Sequence, residues 1–350
     1  MKREKIKIEN QNHKFKRGEL MPTVYITRGT RISKTRKRLI VSKDEDKIAD
    51  LPLINVDQVV VFGNISITGA IIQSLLQENI PITYLSYYGK YRGRLTPEIS
   101  SNSTLRLKQF EAYKDEKISL ELSKQISVAK IYNMRTFLMK STSGARSEDA
   151  KKAVDQMENI LDKINTAANK DSLRGYEGTS AKYYFGVFDE IINDEFEFNG
   201  RNRQPPRDPI NSLLSFGYTL LLNDMMTAIN IVGLDPYIGF FHSVEQGKPT
   251  LALDLMEEFR QVIIDSVVKS VINKRMIKQE HFDIDENKVL ISDEGRKIFL
   301  EQYEQRMETK LSHSQRKESV TWRKAMEIQV GLIKEIIAGQ REEYQAVKVR

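Results

Sequence analysis

The spacing of apolar and polar positions changes near Pro97 and divides the chain into two parts. Before this residue the apolar positions fall in short runs rich in Val, Ile, Tyr and Thr, which are typical of β-strands. The predicted strands are TVYIT (23–27), RLIVS (38–42), QVVVFG (58–63), PITYLS (81–86) and KYRGRL (90–95). They predict a small, mainly β N-terminal domain over residues 21–96.

One helical pattern interrupts these strands, at TGAIIQSLLQENI (68–80). Ile71, Leu75 and Ile80 lie near one side of that helix, and Thr68 is placed to cap its first turn. Residues 1–20 precede the pattern, so we expect them to be a disordered extension, with Met21 as an alternative start of the folded part.

After Pro97 the chain consists of long segments with helical periodicity, separated by turn residues. The breaks fall at STSGARS (141–147), NGRNRQPPRDP (199–209) and around 233–249. PPRDPIN (205–211) predicts a helix stop and restart, because Pro lacks an amide hydrogen and biases its predecessor towards extended geometry. These segments predict a larger all-α C-terminal domain over residues 97–345, so the predicted fold class is α+β.

The composition is that of a globular protein, with 40% hydrophobic and 29% charged residues. No apolar run approaches the roughly 18 to 20 residues that span a bilayer, and the basic N-terminus lacks the apolar core of a signal peptide. The absence of cysteine excludes disulfides, thiol catalysis and thiolate metal ligands. The simplest prediction is a cytoplasmic protein without a membrane partner.

The net charge of +7 is unevenly distributed. Residues 1–40 carry 13 Lys and Arg against 3 Asp and Glu, and the remaining residues carry 42 against 45. The densest run contains Arg28, Arg31, Lys34, Arg36, Lys37 and Arg38. Such a cluster attracts nucleic-acid phosphates, but it also fits the solvated face of a β-hairpin, and charge alone does not separate these two interpretations.

The segment GLDPYIGFFHSVEQGKPTLALDLMEEFR (233–260) contains the first candidate chemistry. A helix is predicted at its end, in which Leu255, Met256, Phe259, Val262 and Ile263 form the buried stripe. Asp254, Glu257 and Gln261 fall on the opposite side, at about 100° per residue. The first two are one turn apart and can aim at one point, although most carboxylate pairs on a polar helix face are simply solvated.

His242 lies twelve residues before Asp254, and a tight loop containing Gly247 and Pro249 joins it to that helix. A lone histidine in an apolar segment is more often a hydrogen-bonded core residue than a ligand. Beside a helix that carries carboxylates, however, it has a plausible ligand geometry. Histidine and carboxylates without thiolates favour Mn²⁺ or Mg²⁺ over structural zinc.

A third ligand is expected on another helix. RGYEGTSAKYYFGVFDEII (174–192) places Glu177 near a predicted helix start, before an apolar face formed by Ala181, Tyr184, Phe185 and Phe188. Glu177 therefore fits both a metal ligand and a carboxylate that caps or complements the helix N-terminus. Physical reasoning from one sequence does not choose between these roles.

The order of three motifs resembles the family of CRISPR-associated protein one, the metal-dependent integrase subunit of CRISPR adaptation. The motifs are EGTSAKYYF (177–185), PPRDPINSLLSFGYTLL (205–221) and the segment 233–260. The strand segment QVVVFGNISIT (58–68) extends the resemblance, which covers about residues 21–330. It implies an N-terminal β domain that mediates dimerisation and a C-terminal helical catalytic domain. Exposed edge strands such as TVYIT and QVVVFG would need a partner.

The resemblance also implies roles for individual residues. It matches Glu177, His242 and Glu257 to the metal ligands, and Asp254 to a further catalytic carboxylate one turn before the last ligand. The expected cofactor is Mn²⁺ or Mg²⁺. The basic residues of the helical domain that we expect to contact DNA are Lys182, Arg201, Arg203, Arg207, Lys248 and Arg260.

The function that the resemblance implies is integration of foreign DNA fragments into a CRISPR repeat, in the cytoplasm of a prokaryote. A 3′-hydroxyl of the fragment attacks a phosphodiester of the repeat, in a transesterification. The implied partners are DNA, a second copy of the chain and CRISPR-associated protein two. Three alternatives stay open: a stand-alone metal-dependent nuclease, a transposon-borne integrase of the same superfamily, and a non-catalytic nucleic-acid-binding scaffold.

Overall fold

A computed structural model of the chain describes residues 23–27, 29–97, 103–142, 147–192, 196–202 and 205–349. The predictions for residues 1–20, Met21, Arg28 and Arg203 lie outside the described residues. The chain divides between residues 99 and 100 into two compact units, where the sequence predicts a boundary between 96 and 97.

In its described residues, the first unit contains two four-stranded sheets, one α-helix and a short 3-10 helix (Leu53–Asn55). Its strands are β1 (Thr23–Ile26), β2 (Arg31–Thr35), β3 (Arg38–Lys43), β4 (Asp46–Pro52), β5 (Gln58–Phe62), β6 (Ser66–Ile67), β7 (Ile82–Leu85) and β8 (Tyr91–Leu95). The helix α1 (Gly69–Gln77) lies between β6 and β7 in the chain. All five predicted strands are confirmed.

The first sheet has the order β1-β5-β7-β8, with β1, β5 and β7 parallel and β8 antiparallel to β7. Every residue of β5 is buried, as expected for an apolar run in the interior of a parallel sheet. The prediction that QVVVFG forms an edge strand is therefore wrong, whereas TVYIT is an edge strand, as predicted. Both faces of β5 are covered, which is why its sequence is apolar without alternation.

The second sheet has the order β4-β3-β2-β6 and includes the basic hairpin of β2 and β3. The strands β2, β4 and β6 were not predicted, because most of their residues are exposed or half-buried and their apolar content is low. Ile32 is the buried residue of β2. It joins one core cluster that also contains residues of the first sheet and of α1.

The helix α1 follows its predicted pattern, since Ile71, Leu75 and Ile80 are all buried. Thr68 is the N-cap residue, but its side chain makes no capping hydrogen bond. Its backbone amide instead donates to the carbonyl of Ile32 at 3.0 Å. The predicted side-chain cap is therefore corrected to a main-chain contact with β2.

The second unit contains nine α-helices within its described residues. They are α2 (Ser103–Lys114), α3 (Glu116–Ser141), α4 (Glu148–Ile164), α5 (Lys170–Gly186), α6 (Pro209–Val232), α7 (Thr250–Met256), α8 (Ser266–Asn273), α9 (Asp293–Glu308) and α10 (Trp322–Ile337). A π-helical segment (Arg260–Asp265) lies between α7 and α8. The helix α3 packs against α4, α5, α7 and the π-helical segment.

The predicted helix breaks are confirmed. The helix α6 begins at Pro209, and the preceding Asp208 accepts a capping hydrogen bond from the amide of Asn211 at 2.7 Å. It ends before Gly233, whose φ of 92° is left-handed and therefore suits glycine. The long apolar helix between these signals is largely buried, so it forms a rigid support for the loop that follows.

The α+β class and the order of strands before helices are confirmed. The second unit also contains two short antiparallel ribbons that were not predicted, β9 (Phe282–Asp285) with β10 (Lys288–Ile291) and β11 (Lys310–Leu311) with β12 (Val320–Thr321). Among the described residues, no helix has the length and apolar character needed to cross a membrane.

Candidate active site

Asp254 organises the loop that carries His242. Its carboxylate is fully buried and accepts hydrogen bonds from the backbone amides of Phe240, Phe241 and His242, at 2.6, 2.9 and 2.9 Å. Three amides on one carboxylate fix the main chain of this loop relative to α7. Residues 240–242 are therefore held in place without belonging to a helix or strand.

Gly239 makes this close approach possible. A Cβ atom at this position would lie 2.5 Å from Asp254 Oδ2 and 2.7 Å from the backbone nitrogen of Leu251. Both distances are shorter than van der Waals contact, and both neighbours are held in the protein core. The amide of Gly239 donates to Thr250 Oγ1 at 2.9 Å, so the loop is joined to the first turn of α7 at this point as well.

The ring of His242 is oriented by the same carboxylate. Its Nδ1 lies 2.6 Å from Asp254 Oδ1. A carboxylate accepts hydrogen bonds, so Nδ1 donates and Nε2 is left to face away from Asp254. Nε2 lies 4.0 Å from Glu257 Oε1. The side chain is 27% exposed, so His242 is a partly open residue rather than a core histidine.

Glu257 follows α7 directly and is 2% exposed. Its Oε2 lies 2.7 Å from Lys130 Nζ and 3.0 Å from Arg260 Nε. Burial alone would raise the pKa of Glu257, but Arg260, Lys130 and His242 together lower it to about 2. The carboxylate is therefore ionised at neutral pH and surrounded by cationic or polar side chains.

Lys130 on α3 joins the two glutamates of the site. Its ammonium forms ion pairs with both Glu257 and Glu177, and its side chain is 11% exposed. This lysine was not among the residues predicted from the sequence. The available signal was its position between Ile126 and Met134, one turn before and after it on the same face of the helix, because a lysine in an apolar helix face requires a charged partner.

Glu177 lies in the middle of α5, which starts at Lys170. The prediction that Glu177 stands near a helix start is wrong, and a capping role is excluded because Asn169 caps this helix through the amide of Ser172. The sequence RGYEG (174–178) contains two glycines, which weaken a helix interior. The packing of α5 against α3 and α4 keeps them helical.

The helix predicted through Asp254, Glu257 and Gln261 is not regular. The helix α7 ends at Met256, residues 257–259 form a turn, and a π-helical segment follows. The polar side of this predicted helix is not solvated, since Asp254, Glu257 and Gln261 are all at most 2% exposed. The predicted buried stripe is confirmed, since Phe259, Val262 and Ile263 are buried, but the wider π-helical turn departs from the 3.6-residue period and buries the other side as well.

The site carries carboxylates and an imidazole, which are suitable ligands for Mn²⁺ or Mg²⁺. Within the described ranges, however, no group of three or more His, Asp or Glu side chains is arranged to hold a metal ion. The physical reason is Lys130, whose ammonium lies between Glu177 and Glu257. The donor set fits a divalent cation in chemistry and charge, and that cation would take the place of the ammonium between the two carboxylates.

Arg260 continues the network away from Glu257. Its guanidinium lies over the ring of Tyr218, 4.4 Å from the centroid. The hydroxyl of Tyr218 donates to Asp265 Oδ1 at 2.6 Å, and the hydroxyl of Tyr184 donates to Oδ2 at 2.7 Å. Asp265 was not predicted from the sequence, because it directly follows the apolar run Val262–Ile264 and its partners, Tyr184 and Tyr218, lie far away along the chain.

The residues expected to contact DNA fall into two groups among the described positions. Lys182 and Arg207 are exposed, and Lys248 is half-buried beside Glu245, at 3.2 Å. Arg260 and Arg201 have partners within the chain: Arg260 pairs with Glu257, and Arg201 donates to Asn211 Oδ1 at 2.6 Å. The structure thus gives these two arginines internal roles in place of the expected surface contacts.

Two cationic side chains of the basic hairpin in the first unit also have partners within the chain. Arg38 pairs with Asp50 at 2.5 Å, and Lys34 donates to Ser74 Oγ at 2.5 Å. Arg31, Arg36 and Lys37 are exposed on the same hairpin. Both interpretations of this run, phosphate binding and a solvated hairpin face, stay compatible with that arrangement.

Comparison with known proteins identifies the family. The sequence model described as CRISPR associated protein Cas1 matches residues 24–305. A CRISPR-associated endonuclease Cas1 of Thermus thermophilus is 37% identical over 299 residues, which cover 85% of this chain and 88% of that protein.

Two solved structures share the fold. A casposase bound to integration product has a TM-score of 0.82 at 24% identity and covers 94% of this chain and 95% of its own. A chain of a Cas6-RT-Cas1–Cas2 complex also has a TM-score of 0.82, at 23% identity, over 97% of this chain and 38% of that chain. At these identities the two structures establish the likeness of the folds alone.

Proposed function

The chain belongs to the Cas1 family of CRISPR-associated proteins, whose curated relatives are named endonucleases, and we propose that it is a metal-dependent DNA integrase. In the proposed reaction it joins the 3′-hydroxyl ends of foreign DNA fragments to a CRISPR repeat by transesterification. The observation that carries this proposal is the pair of carboxylates, Glu177 and Glu257, that share one cationic group beside His242.

The proposed ligands of the divalent cation, Mn²⁺ or Mg²⁺, are Glu177, His242 and Glu257. When bound, this cation would stabilise the negative charge that develops at the attacked phosphodiester and help to activate the hydroxyl or the leaving oxygen. Glu257 supports this assignment because its pKa of about 2 keeps it ionised. His242 supports it because its Nε2 faces Glu257 and is not used by Asp254.

Asp254 is proposed as a positioning residue rather than a ligand. Each of its oxygens already accepts hydrogen bonds from the 240–242 loop. The second ring nitrogen of a histidine ligand normally donates a hydrogen bond to such a carboxylate, which fixes the ring and its tautomer. Asp254 therefore acts on the reaction by holding His242.

The proposed DNA contacts are Lys182, Arg207 and Lys248 on the helical unit. Arg31, Arg36 and Lys37 on the basic hairpin are further candidates, because they are exposed. A plot of log affinity against log salt concentration has a negative slope. Each phosphate contact that is removed should make this slope less steep by roughly one unit. An unchanged slope after replacement of the three hairpin residues by Gln would assign the hairpin to the solvated interpretation.

The proposed partners are a second copy of the chain and CRISPR-associated protein two. The strand β1 lies at an edge of the first sheet, and the backbone groups of an edge strand can pair with another chain. The similar fold in a complex that contains Cas1 and Cas2 agrees with the second partner. Light scattering should report a dimer at micromolar concentration, and a monomer would contradict this part of the proposal.

A transposon-borne integrase is the second candidate function. It is considered because a casposase bound to its integration product has a similar fold. The two candidates require the same residues and the same chemistry at the phosphodiester. They differ in the target DNA, so preference for CRISPR repeat DNA over transposon-type target DNA in strand transfer would separate them.

The test of the proposed function is His242→Ala in strand transfer of a labelled duplex into a supercoiled plasmid, with Mn²⁺ or Mg²⁺. We expect a loss of activity on the order of 100-fold or more, with a melting temperature close to that of the unsubstituted protein, because the ring is partly exposed. Retained strand transfer would refute the ligand role of His242. Cleavage of DNA without strand-transfer products would favour the stand-alone nuclease.

His281→Ala is the matched control for the same deletion of an imidazole. His281 is 7% exposed, and its Nδ1 accepts a hydrogen bond from the amide of Lys278 at 2.9 Å. We expect a lower melting temperature and unchanged strand transfer per folded molecule. This opposite pattern distinguishes a core histidine from the proposed ligand.

A further inference from the structure

We propose that the segment Tyr344–Val349 positions Glu257 by holding the next residue, Glu258, from the opposite side of the turn. This segment lies beyond residues 24–305, the range matched by the family's sequence model. It has no regular secondary structure, yet Tyr344 and Val347 are buried. The proposal rests on the ligand role of Glu257 in the proposed function.

Glu258 is the fixed point of this arrangement. Its carboxylate is fully buried, and it accepts hydrogen bonds from the hydroxyl of Tyr344 and from the amide of Val347, the latter at 2.7 Å. Gln329 on α10 donates to the same carboxylate at 2.9 Å. Two of the three donors belong to the 344–349 segment, so the position of Glu258 depends on that segment.

Asn133 joins the segment to the backbone of Glu258. Its Nδ2 donates to the carbonyl of Glu258 at 2.9 Å and to the carbonyl of Val347 at 2.9 Å. Its Oδ1 accepts from the amide of Val349 at 3.0 Å. Asn133 is 1% exposed, and it lies one helical turn after Lys130 on α3, so one helix contacts both glutamates of the turn.

Glu257 and Glu258 are consecutive residues of the turn after α7, and their side chains have separate partners. Glu257 contacts Lys130, Arg260 and His242, whereas Glu258 contacts α10 and the 344–349 segment. A turn lacks the repeated backbone hydrogen bonds that fix a residue within a helix. The hydrogen bonds on Glu258 supply that restraint, and they transmit it to Glu257 through one peptide bond.

A buried carboxylate with neutral donors also stabilises the fold, so a test must separate position from stability. Tyr344→Phe removes one hydroxyl and leaves the aromatic ring in its place. We expect the dissociation constant for Mn²⁺, measured from the electron paramagnetic resonance signal of free Mn²⁺, to rise about 10-fold, as when an indirect partner of a metal ligand is lost. Asn133→Ala should raise the same constant.

Tyr303→Phe is the matched control. The hydroxyl of Tyr303 on α9 donates to a buried carboxylate, Asp224 on α6, at 2.5 Å, so this hydrogen bond joins two helices other than the turn that carries Glu257. We expect this substitution to lower the melting temperature to a similar extent as Tyr344→Phe and to leave the dissociation constant for Mn²⁺ unchanged. The two variants should therefore lose similar stability, and only Tyr344→Phe should lose metal affinity.

Unchanged Mn²⁺ affinity in folded Tyr344→Phe and Asn133→Ala overturns the positioning role and leaves the proposed function in place. Loss of the cooperative melting transition in both variants also overturns it, since the segment would then serve folding as a whole. If the unsubstituted protein shows no Mn²⁺ binding that depends on His242, the proposed function fails together with this inference. These results therefore separate the two proposals.

Discussion

Two buried carboxylates three residues apart, Asp254 and Glu257, are stabilised by different kinds of partner. Asp254 accepts hydrogen bonds from main-chain amides of the 240–242 loop. Glu257 is surrounded by the cationic side chains of Lys130 and Arg260. Main-chain amides cannot leave without unfolding the loop, whereas long side chains can move. Asp254 is therefore expected to keep its hydrogen-bond partners, whereas the cationic partners of Glu257 can be exchanged for another cation.

The ionisation of the buried carboxylates follows the same distinction. Burial raises the pKa of Asp265 to about 6 and that of Glu258 to about 7, because their nearest donors are phenols, amides and a backbone N–H. For Glu257 the neighbouring cations outweigh burial and lower the pKa to about 2. Among these carboxylates, a permanent negative charge is thus concentrated where a metal ion is proposed to bind.

The largest expected effect is that of Gly239→Ala, which disturbs the contact between the 239–242 loop and Asp254. The added Cβ would overlap Asp254 Oδ2 at 2.5 Å and backbone atoms at the start of α7. We expect the free energy of unfolding to fall by about 3 kcal/mol or more, because neither neighbour has room to move. Chemical denaturation of the purified protein measures this change.

Gly331→Ala on α10 is the control for the same substitution, since its Cβ would meet no atom within 4 Å. This change should raise the free energy of unfolding by about 0.5–1 kcal/mol, as for glycine in a helix interior. Equal effects at the two positions would show that Asp254 does not require the close approach of the loop.

The elements of the fold were easier to predict than the details of the site, for physical reasons. The strand β5 and the break before Pro209 are determined by local sequence, by apolar β-branched residues and by proline. Lys130 and Glu258 depend on tertiary contacts with residues far along the chain. The end of α7 was missed because a π-helical turn obeys no fixed pattern of apolar positions.

His242 and Asp254 were placed near each other by sequence reasoning because they lie twelve residues apart around one loop. The structure joins them at 2.6 Å. The bonding of Asp254 to three main-chain amides was not predictable, since it depends on the path of the 239–242 backbone. The approach of Glu177 to the same site rests on the packing of α5 against α3, which periodicity does not specify.

Lys130→Met tests whether a metal ion can replace the cationic partner of Glu257. The substitution removes the ammonium between Glu177 and Glu257. Without added metal we expect a loss of about 2–3 kcal/mol in the free energy of unfolding, because two carboxylates lose a shared cation in a largely buried place. Mn²⁺ should then stabilise this variant more than the unsubstituted protein, because the ammonium no longer competes with it. Melting temperatures with and without Mn²⁺ measure both effects.

Lys151→Met provides the matched control on the surface. Lys151 pairs with Glu148 at 2.7 Å, one turn away on α4, and both side chains are exposed. Exposed pairs contribute little, so we expect almost no change in melting temperature and an unchanged response to Mn²⁺. If Mn²⁺ stabilises Lys130→Met less than the unsubstituted protein, Lys130 supports metal binding and the exchange interpretation is wrong.

The smallest expected effect concerns Asp265, which accepts hydrogen bonds from Tyr184 and Tyr218. Burial raises its pKa to about 6 from the ordinary value of 3.8, so the folded protein binds this proton more tightly than the unfolded chain. Its contribution to stability is therefore fully present below about pH 4 and is lost as the pH rises through about 6. As the pH rises from 4 to 7, the free energy of unfolding of Asp265→Asn should increase by about 1–2 kcal/mol relative to that of the unsubstituted protein. Denaturation of both proteins across this range measures the difference, and a difference that stays constant with pH would mean that the carboxylate is ionised throughout, as at Glu257.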